Sequence, residues 1–314
     1  MKHKTIWSLI LALGVLLGAC AQPATQPPAP TAMPTAAPLA FTDGLGRAIT
    51  LAALPQRVVS LGASNTEILF ALGAGGQIVG RDDYSDYPAE AKNIASVGAS
   101  YGNFSAEAIV AVKPDLVLMA EIYTADQVKA LADLGLTVFW LANPTDFDGL
   151  YANLDMVGKL TGHSAEADQV IDSLKARVTA VDEKVKGASA RPKVFYELDA
   201  TDPLKPYTTG PGTFVDLLIV RAGGENVGAV LKDPYAQISS EEIVKQNPDI
   251  VVLGDGVYGV TIESVGQRAG WDAIAAVTNR QIFVFDDNLA SRPGPRLVDG
   301  LEMLAKLIHP ELFQ

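Results

Sequence analysis

Two segments of this chain are copies of one pattern, and that repetition constrains the fold more than any other feature. One reads Glu107-Ala-Ile-Val-Ala-Val-Lys-Pro114-Asp-Leu-Val-Leu118 and the other Glu241-Glu-Ile-Val-Lys-Gln-Asn-Pro248-Asp-Ile-Val-Val252. In each, a Glu seven residues before a Pro opens a short amphipathic helix, the Pro helps to stop it, and an apolar strand follows. Each copy is preceded by a lead strand, Arg57 to Leu61 or Lys193 to Tyr196, and each half closes with another, Thr137 to Leu141 or Gln281 to Phe285. Strands alternating with helices imply a parallel sheet in each half with right-handed crossovers.

Between the copies, from Ser164 to Gly187, Ala167, Val170, Ile171, Leu174, Val178, Val181 and Val185 recur at helical spacing opposite a charged face. Ser164 suits the N-cap, and Lys184, Lys186 and Gly187 suit the C-terminal end. A helix of roughly 22 residues reaches about 33 Å, enough to bridge two lobes. The expected fold is therefore α/β, with two lobes whose parallel sheets are flanked by helices, one long backbone helix joining them and a ligand cleft between them. The N-terminal lobe is expected over residues 41–160, the linking helix over 161–189 and the C-terminal lobe over 190–314. Within the first lobe, Ser64-Asn-Thr-Glu67 has capping-box spacing and predicts a helix start there. Gly73-Ala-Gly-Gly76 follows that helix and leads into a strand, the reverse of the context a phosphate-cradling loop needs.

Several function classes are disfavoured. A formal net charge of −12 argues against a nucleic-acid backbone as main partner. The histidines are His3, His163 and His309, in the leader, beside the central helix and in the tail, so a Ser-His-Asp site or a directly bound metal is hard to assemble. No enzyme and no protein-bound cofactor are expected. The single cysteine, Cys20, rules out an internal disulfide framework.

At the N-terminus, Lys2 and Lys4 precede an apolar run from Ile6 to Leu17 that is short for a membrane span and reads as an export signal. Residues 1–19, ending Leu-Gly-Ala before Cys20, resemble a bacterial lipoprotein signal, which implies acylation of Cys20. The Pro, Ala and Thr residues that dominate 20–40 then form an extended tether. The expected location is the outer face of the cytoplasmic membrane, in a periplasm or at the cell surface, held by lipid.

Four stretches are distinctive together: Arg57-Val-Val-Ser-Leu-Gly-Ala-Ser-Asn-Thr-Glu67, Asp83-Tyr-Ser-Asp-Tyr-Pro88, the two Glu-to-Pro-Asp units and Arg292-Pro-Gly-Pro-Arg296. Over essentially everything after the tether, the chain resembles the periplasmic binding proteins of iron-siderophore, haem and vitamin B12 ABC importers, and most of all the B12 branch. The resemblance implies ligand capture between the lobes and delivery to a membrane permease with its ATPase. It implies that Glu107 and Glu241 dock on permease arginines; the simpler reading is that each complements its helix dipole.

Open α/β sheets bind ligands beyond the carboxyl ends of their strands, where the loops carry Tyr84, Tyr87, Tyr101, Tyr207 and Tyr235. Tyr101 and Tyr235 each lie six residues before their Glu, as if on facing walls. The B12 resemblance implies that such aromatics stand against a corrin ring and that Arg292 reaches the ligand, with Arg296 structural and Trp271 a core or lobe-surface anchor. The chain departs from the branch in carrying Tyr where Trp is frequent. The ligand expected is cobalamin or a related corrinoid, transported rather than used. Haem, with a tyrosine as axial ligand, and a ferric siderophore, held by Arg81 and Arg292, remain alternatives, as do, further off, a lipid-anchored sensor or an enzyme on the same scaffold.

Overall fold

A computed structural model describes residues 38–98 and 103–313, of which Pro38 onward forms one unit. The expected signal, Cys20, nearly all of the tether and Tyr101 lie outside the described residues.

The chain opens with an antiparallel hairpin, β1 (Leu39–Thr42) and β2 (Ala48–Leu51). The first lobe follows as β3 (Val58–Leu61), α1 (Ala63–Ala71), β4 (Ile78–Arg81), α2 (Ala106–Ala111), β5 (Leu116–Ala120), α3 (Ala125–Asp133), β6 (Val138–Leu141) and α4 (Phe147–Thr161). Then comes the long helix α5 (Ser164–Val185). The second lobe holds β7 (Lys193–Glu197), β8 (Tyr207–Thr209), α6 (Phe214–Arg221), β9 (Glu225–Asn226), β10 (Tyr235–Gln237), α7 (Ser240–Gln246) and β11 (Ile250–Leu253). It ends with α8 (Ile262–Val265), α9 (Ala275–Thr278), β12 (Ile282–Val284), α10 (Asn288–Ser291) and α11 (Leu297–Ile308).

Both main sheets are fully parallel, in the orders β4-β3-β5-β6 and β9-β7-β11-β12. The second lobe's main sheet therefore repeats the first strand for strand, with the antiparallel pair β8-β10 added beside it. Every residue of β3, β5, β6 and β11 is buried, the unbroken apolar run that helices on both faces of a parallel sheet require.

The repeat extends to details that the backbone demands. Ser105 caps α2 through the Ala108 N–H, and Ser239 caps α7 through the Glu242 N–H, each at 3.2 Å. The residue before each Pro is left-handed, Lys113 at φ 47 and Asn247 at φ 51, so both helices end by turning sharply into the strand. The Asp after each Pro then takes donors from the start of the lead strand: Asp115 accepts from Arg57 N at 3.0 Å, and Asp249 from Lys193 N at 2.8 Å.

Helix α5 bridges the lobes as its pattern predicts. Its buried Ile171, Leu174, Val178 and Val181 belong to one hydrophobic cluster that also takes in α4 of the first lobe and α6 and α11 of the second. Arg177 binds Asp299 and Glu302 on α11, and Asp182 binds Arg221 on α6.

Two expected helix caps are corrected. Residue 163, not Ser164, is the N-cap of α5 and makes no side-chain cap, because Gly162 (φ 81) ends α4 and turns the chain within one residue. Helix α1 begins at Ala63 with Gly62 as its N-cap, so Ser64 to Glu67 lie inside it. Gly62 has φ 129, and a Cβ there would sit 2.5 Å from the Ala120 Cβ, so the strand-to-helix turn is set by close approach to β5. Among the described residues, no helix is long and apolar enough to cross a membrane.

Candidate functional site

Loops at the carboxyl ends of strands from both sheets meet at a cavity of about 320 Å³. From the first lobe come Gly62 after β3, Asp82 and Tyr84 after β4, and Ile122 and Tyr123 after β5; from the second come Tyr258 after β11 and Asp287, Asn288 and Arg292 after β12. The volume lies at the low end of the ~300–1,000 Å³ usual for small-molecule sites.

Asp82 is the organiser on the N-terminal side. It is buried, and its carboxylate accepts from Gly62 N at 2.5 Å, Tyr84 N at 2.7 Å, and Ser85 N and Oγ at 2.9 Å. These bonds fix the turn that carries Tyr84 to the cavity. Beside it, burial first and then the charges of Asp82 and Asp83 push the Tyr123 phenol well up.

On the C-terminal side, the Tyr196 hydroxyl donates to Asp287 at 2.8 Å. Burial, reinforced by Asp286, holds Asp287 above the usual carboxylate range despite the hydrogen bonds from Ser291 and Tyr196. Deeper, Asp255 is 4% exposed; one oxygen accepts from Ala200 N at 2.9 Å and the other has no hydrogen-bond partner among the described residues. Burial and the neighbouring Glu197 carboxylate push Asp255 up to about 6. Glu197 is itself paired with Arg268 through both guanidinium nitrogens.

Arg292 is the cation among the lining residues, against the carboxylates of Asp82 and Asp287. It is already engaged across the lobes, donating to Asp86 at 2.7 Å and to Glu67 at 3.3 Å. Glu67, 3% exposed, also accepts two bonds from Arg296, at 2.6 and 2.9 Å. Arg81 is spent on the backbone carbonyls of Ile94 and Asp82.

The remaining sequence-picked residues separate. Tyr87, three residues from Tyr84, lines a different cavity of about 540 Å³ between α1, α5 and α11, with the Arg296 guanidinium 3.9 Å over its ring. Tyr207 and Tyr235 begin β8 and β10, which pair antiparallel, and both are about half exposed. They are not among the residues lining the cleft cavity, although partial burial and the charge of Asp287 raise the Tyr235 phenol. Glu107 and Glu241 are exposed in the first turns of α2 and α7. Tyr258, 84% exposed, and the polar pair Asp82 and Asp287 are site residues that sequence reading passed over. Each follows closely on the end of a parallel strand, and that rule would have found them.

Two matching α/β lobes on one bridging helix, with aromatic and amide-bearing side chains facing across a cleft, define a bilobal ligand-capturing protein. Residues 58–289 match the family described as Periplasmic binding protein, and the chain belongs to that family, whose members serve ABC importers as substrate-binding components and are not enzymes. The ABC transporter substrate-binding lipoprotein YvrC of Bacillus subtilis, itself described as uncharacterized, is 34% identical over 319 residues, covering 100% of this chain and 99% of its own. A cobalamin-binding protein of Halobacterium salinarum is 32% identical over 274 residues, 85% of this chain and 73% of its own. The periplasmic heme-binding protein RhuT of Roseiflexus superposes with a TM-score of 0.74 at 25% identity, over 82% of this chain and 99% of its own.

Proposed function

We propose that this protein is the exported, lipid-anchored substrate-binding component of an ABC importer and that its cargo is cobalamin or a related corrinoid. The observation that carries the choice of cargo is the charge of the cleft. Its lining sets two carboxylates against one guanidinium, and that guanidinium is already paired. Among the described residues, an anionic siderophore or the propionates of haem meet no free cation there, whereas a broad ligand rimmed with amides meets the faces of Tyr84 and Tyr258 and the side chains of Asn143 and Asn288. The cobalamin-binding relative supports the same cargo. The exposed Glu107 and Glu241, repeated at one position of each lobe, act as two-point docking charges for basic groups of the permease, where separated rim charges fix orientation and speed encounter.

Calorimetric titration of the full chain in detergent micelles with cyanocobalamin, cobinamide, haemin and a ferric hydroxamate tests the cargo. Saturable one-to-one binding of the corrinoids is expected. Saturation by haemin or the hydroxamate with no corrinoid heat would replace the cargo and leave the importer role standing.

A further inference from the structure

Tyr84, Asp86 and Tyr87 share one short loop, but they serve three different places. Tyr84 faces the cleft, Tyr87 lies under Arg296 at the second cavity, and Asp86 between them reaches across to Arg292 of the other lobe at 2.7 Å. Arg292 therefore has one face on the cleft and its Nη1 on carboxylates of the first lobe. The two partners differ in kind. Glu67 is buried and shared with Arg296, which makes it a permanent anchor, while the Asp86 side chain is 46% exposed and open to solvent.

We propose that Asp86 is a specificity-determining residue of the cleft: its carboxylate occupies the anion-accepting side of Arg292 and turns away ligands that would place a carboxylate there, leaving the site to amide-rimmed ones. The inference rests on the reading of the cleft as the cargo site. The Asp86 carboxylate already lies 2.7 Å from the Arg292 Nη1, so a ligand carboxylate gains that contact only by breaking an ion pair already made. An anion that did reach Arg292 would also meet the charges of Glu67 and Asp287 close by. Asp86 is held below its ordinary value: partial burial raises it, but the hydrogen bond and charge of Arg292, helped by Lys92, outweigh that, so it stays ionised through the neutral range.

The test compares two ligands of one skeleton, cyanocobalamin against a corrin whose side-chain amides are hydrolysed to carboxylates, and haemin dimethyl ester against haemin. Each is titrated into full-length wild type, Asp86→Asn and Asp86→Glu. In Asp86→Asn the affinity ratio of the acid to the neutral ligand should rise about tenfold, the size expected for one desolvated charge contact, and Asp86→Glu should restore the wild-type ratio. A ratio that does not move while wild type binds either skeleton overturns the role of Asp86 alone. If no ligand of either skeleton binds wild type, the inference and the cargo reading fall together.

Discussion

The two lobes repeat each other through their four-stranded parallel sheets and the Pro-Asp units that feed them, and part company at the loops beyond the strand ends, where the second lobe also adds the β8-β10 pair. Up to that point they share strand order, serine caps, a left-handed residue before proline and an aspartate on the lead-strand amides. Beyond the strand ends, the first lobe buries Asp82 with four donors, whereas the second buries Asp255 with Glu197 beside it and one oxygen unpartnered among the described residues. Backbone hydrogen bonding has the same requirements in both lobes and keeps the same residues, while the loops at the strand ends carry no such shared requirement and are free to differ.

The largest expected effect comes where the lobes are locked together asymmetrically. Glu67 lends its carboxylate to Arg292 and Arg296 of the other lobe, and Glu67→Ala leaves both guanidiniums partly buried without it. A loss of about 3–5 kcal/mol in urea unfolding is expected, since breaking a buried pair strands the remaining charge. A change below 1 kcal/mol would mean that the lobes are held by the α5 core alone.

The next contrast sets Asp82→Asn against Asp255→Asn. Asparagine at 82 turns an acceptor for four donors partly into a donor, and a loss of about 2–3 kcal/mol is expected. Asp255 works in the opposite sense. Its folded value of about 6 lies above the model-peptide 3.8, so its contribution to stability is fully present below 3.8 and is lost as pH rises through 6. Ionising Asp255 in its buried place therefore costs about 3 kcal/mol, and Asp255→Asn should be more stable than wild type at pH 7 by up to that amount, with the gap closing near pH 4. Thermal melts of both proteins at the two pH values check this; a gap that widens on acidification would contradict it.

Much of this was legible in the sequence for reasons that are local. Repeated Pro-Asp units gave both parallel sheets, and the apolar stripe of 164–185 gave the bridging helix. Trp271 is fully buried, with its indole N–H on Ser240 Oγ, in keeping with its expected place in the core. What could not be read depends on partners distant in the chain. Ser64 looks like a cap in sequence, but the helix begins at Ala63 after Gly62, a position that the close approach of Ala120 on β5 reserves for a residue without a Cβ. Tyr84 and Tyr87 are alike in sequence, and their opposite destinations follow from the Asp82 turn and from Arg296, more than 200 residues later. Tyr258 carries no periodic signal, since it ends a single 3-10 turn after β11.

Which of the two cavities receives the ligand is the question on which the cleft reading stands. Cyanocobalamin titration of Tyr84→Ala, Tyr258→Ala and Tyr87→Ala, side by side with wild type, answers it directly. With the ligand between the lobes, each of the first two should weaken binding about tenfold or more, the cost of one lost aromatic face of about 1.5 kcal/mol, while Tyr87→Ala stays near wild type. Loss of binding in Tyr87→Ala with the other two unaffected would place the ligand in the cavity beneath α1, α5 and α11 and contradict the cleft assignment.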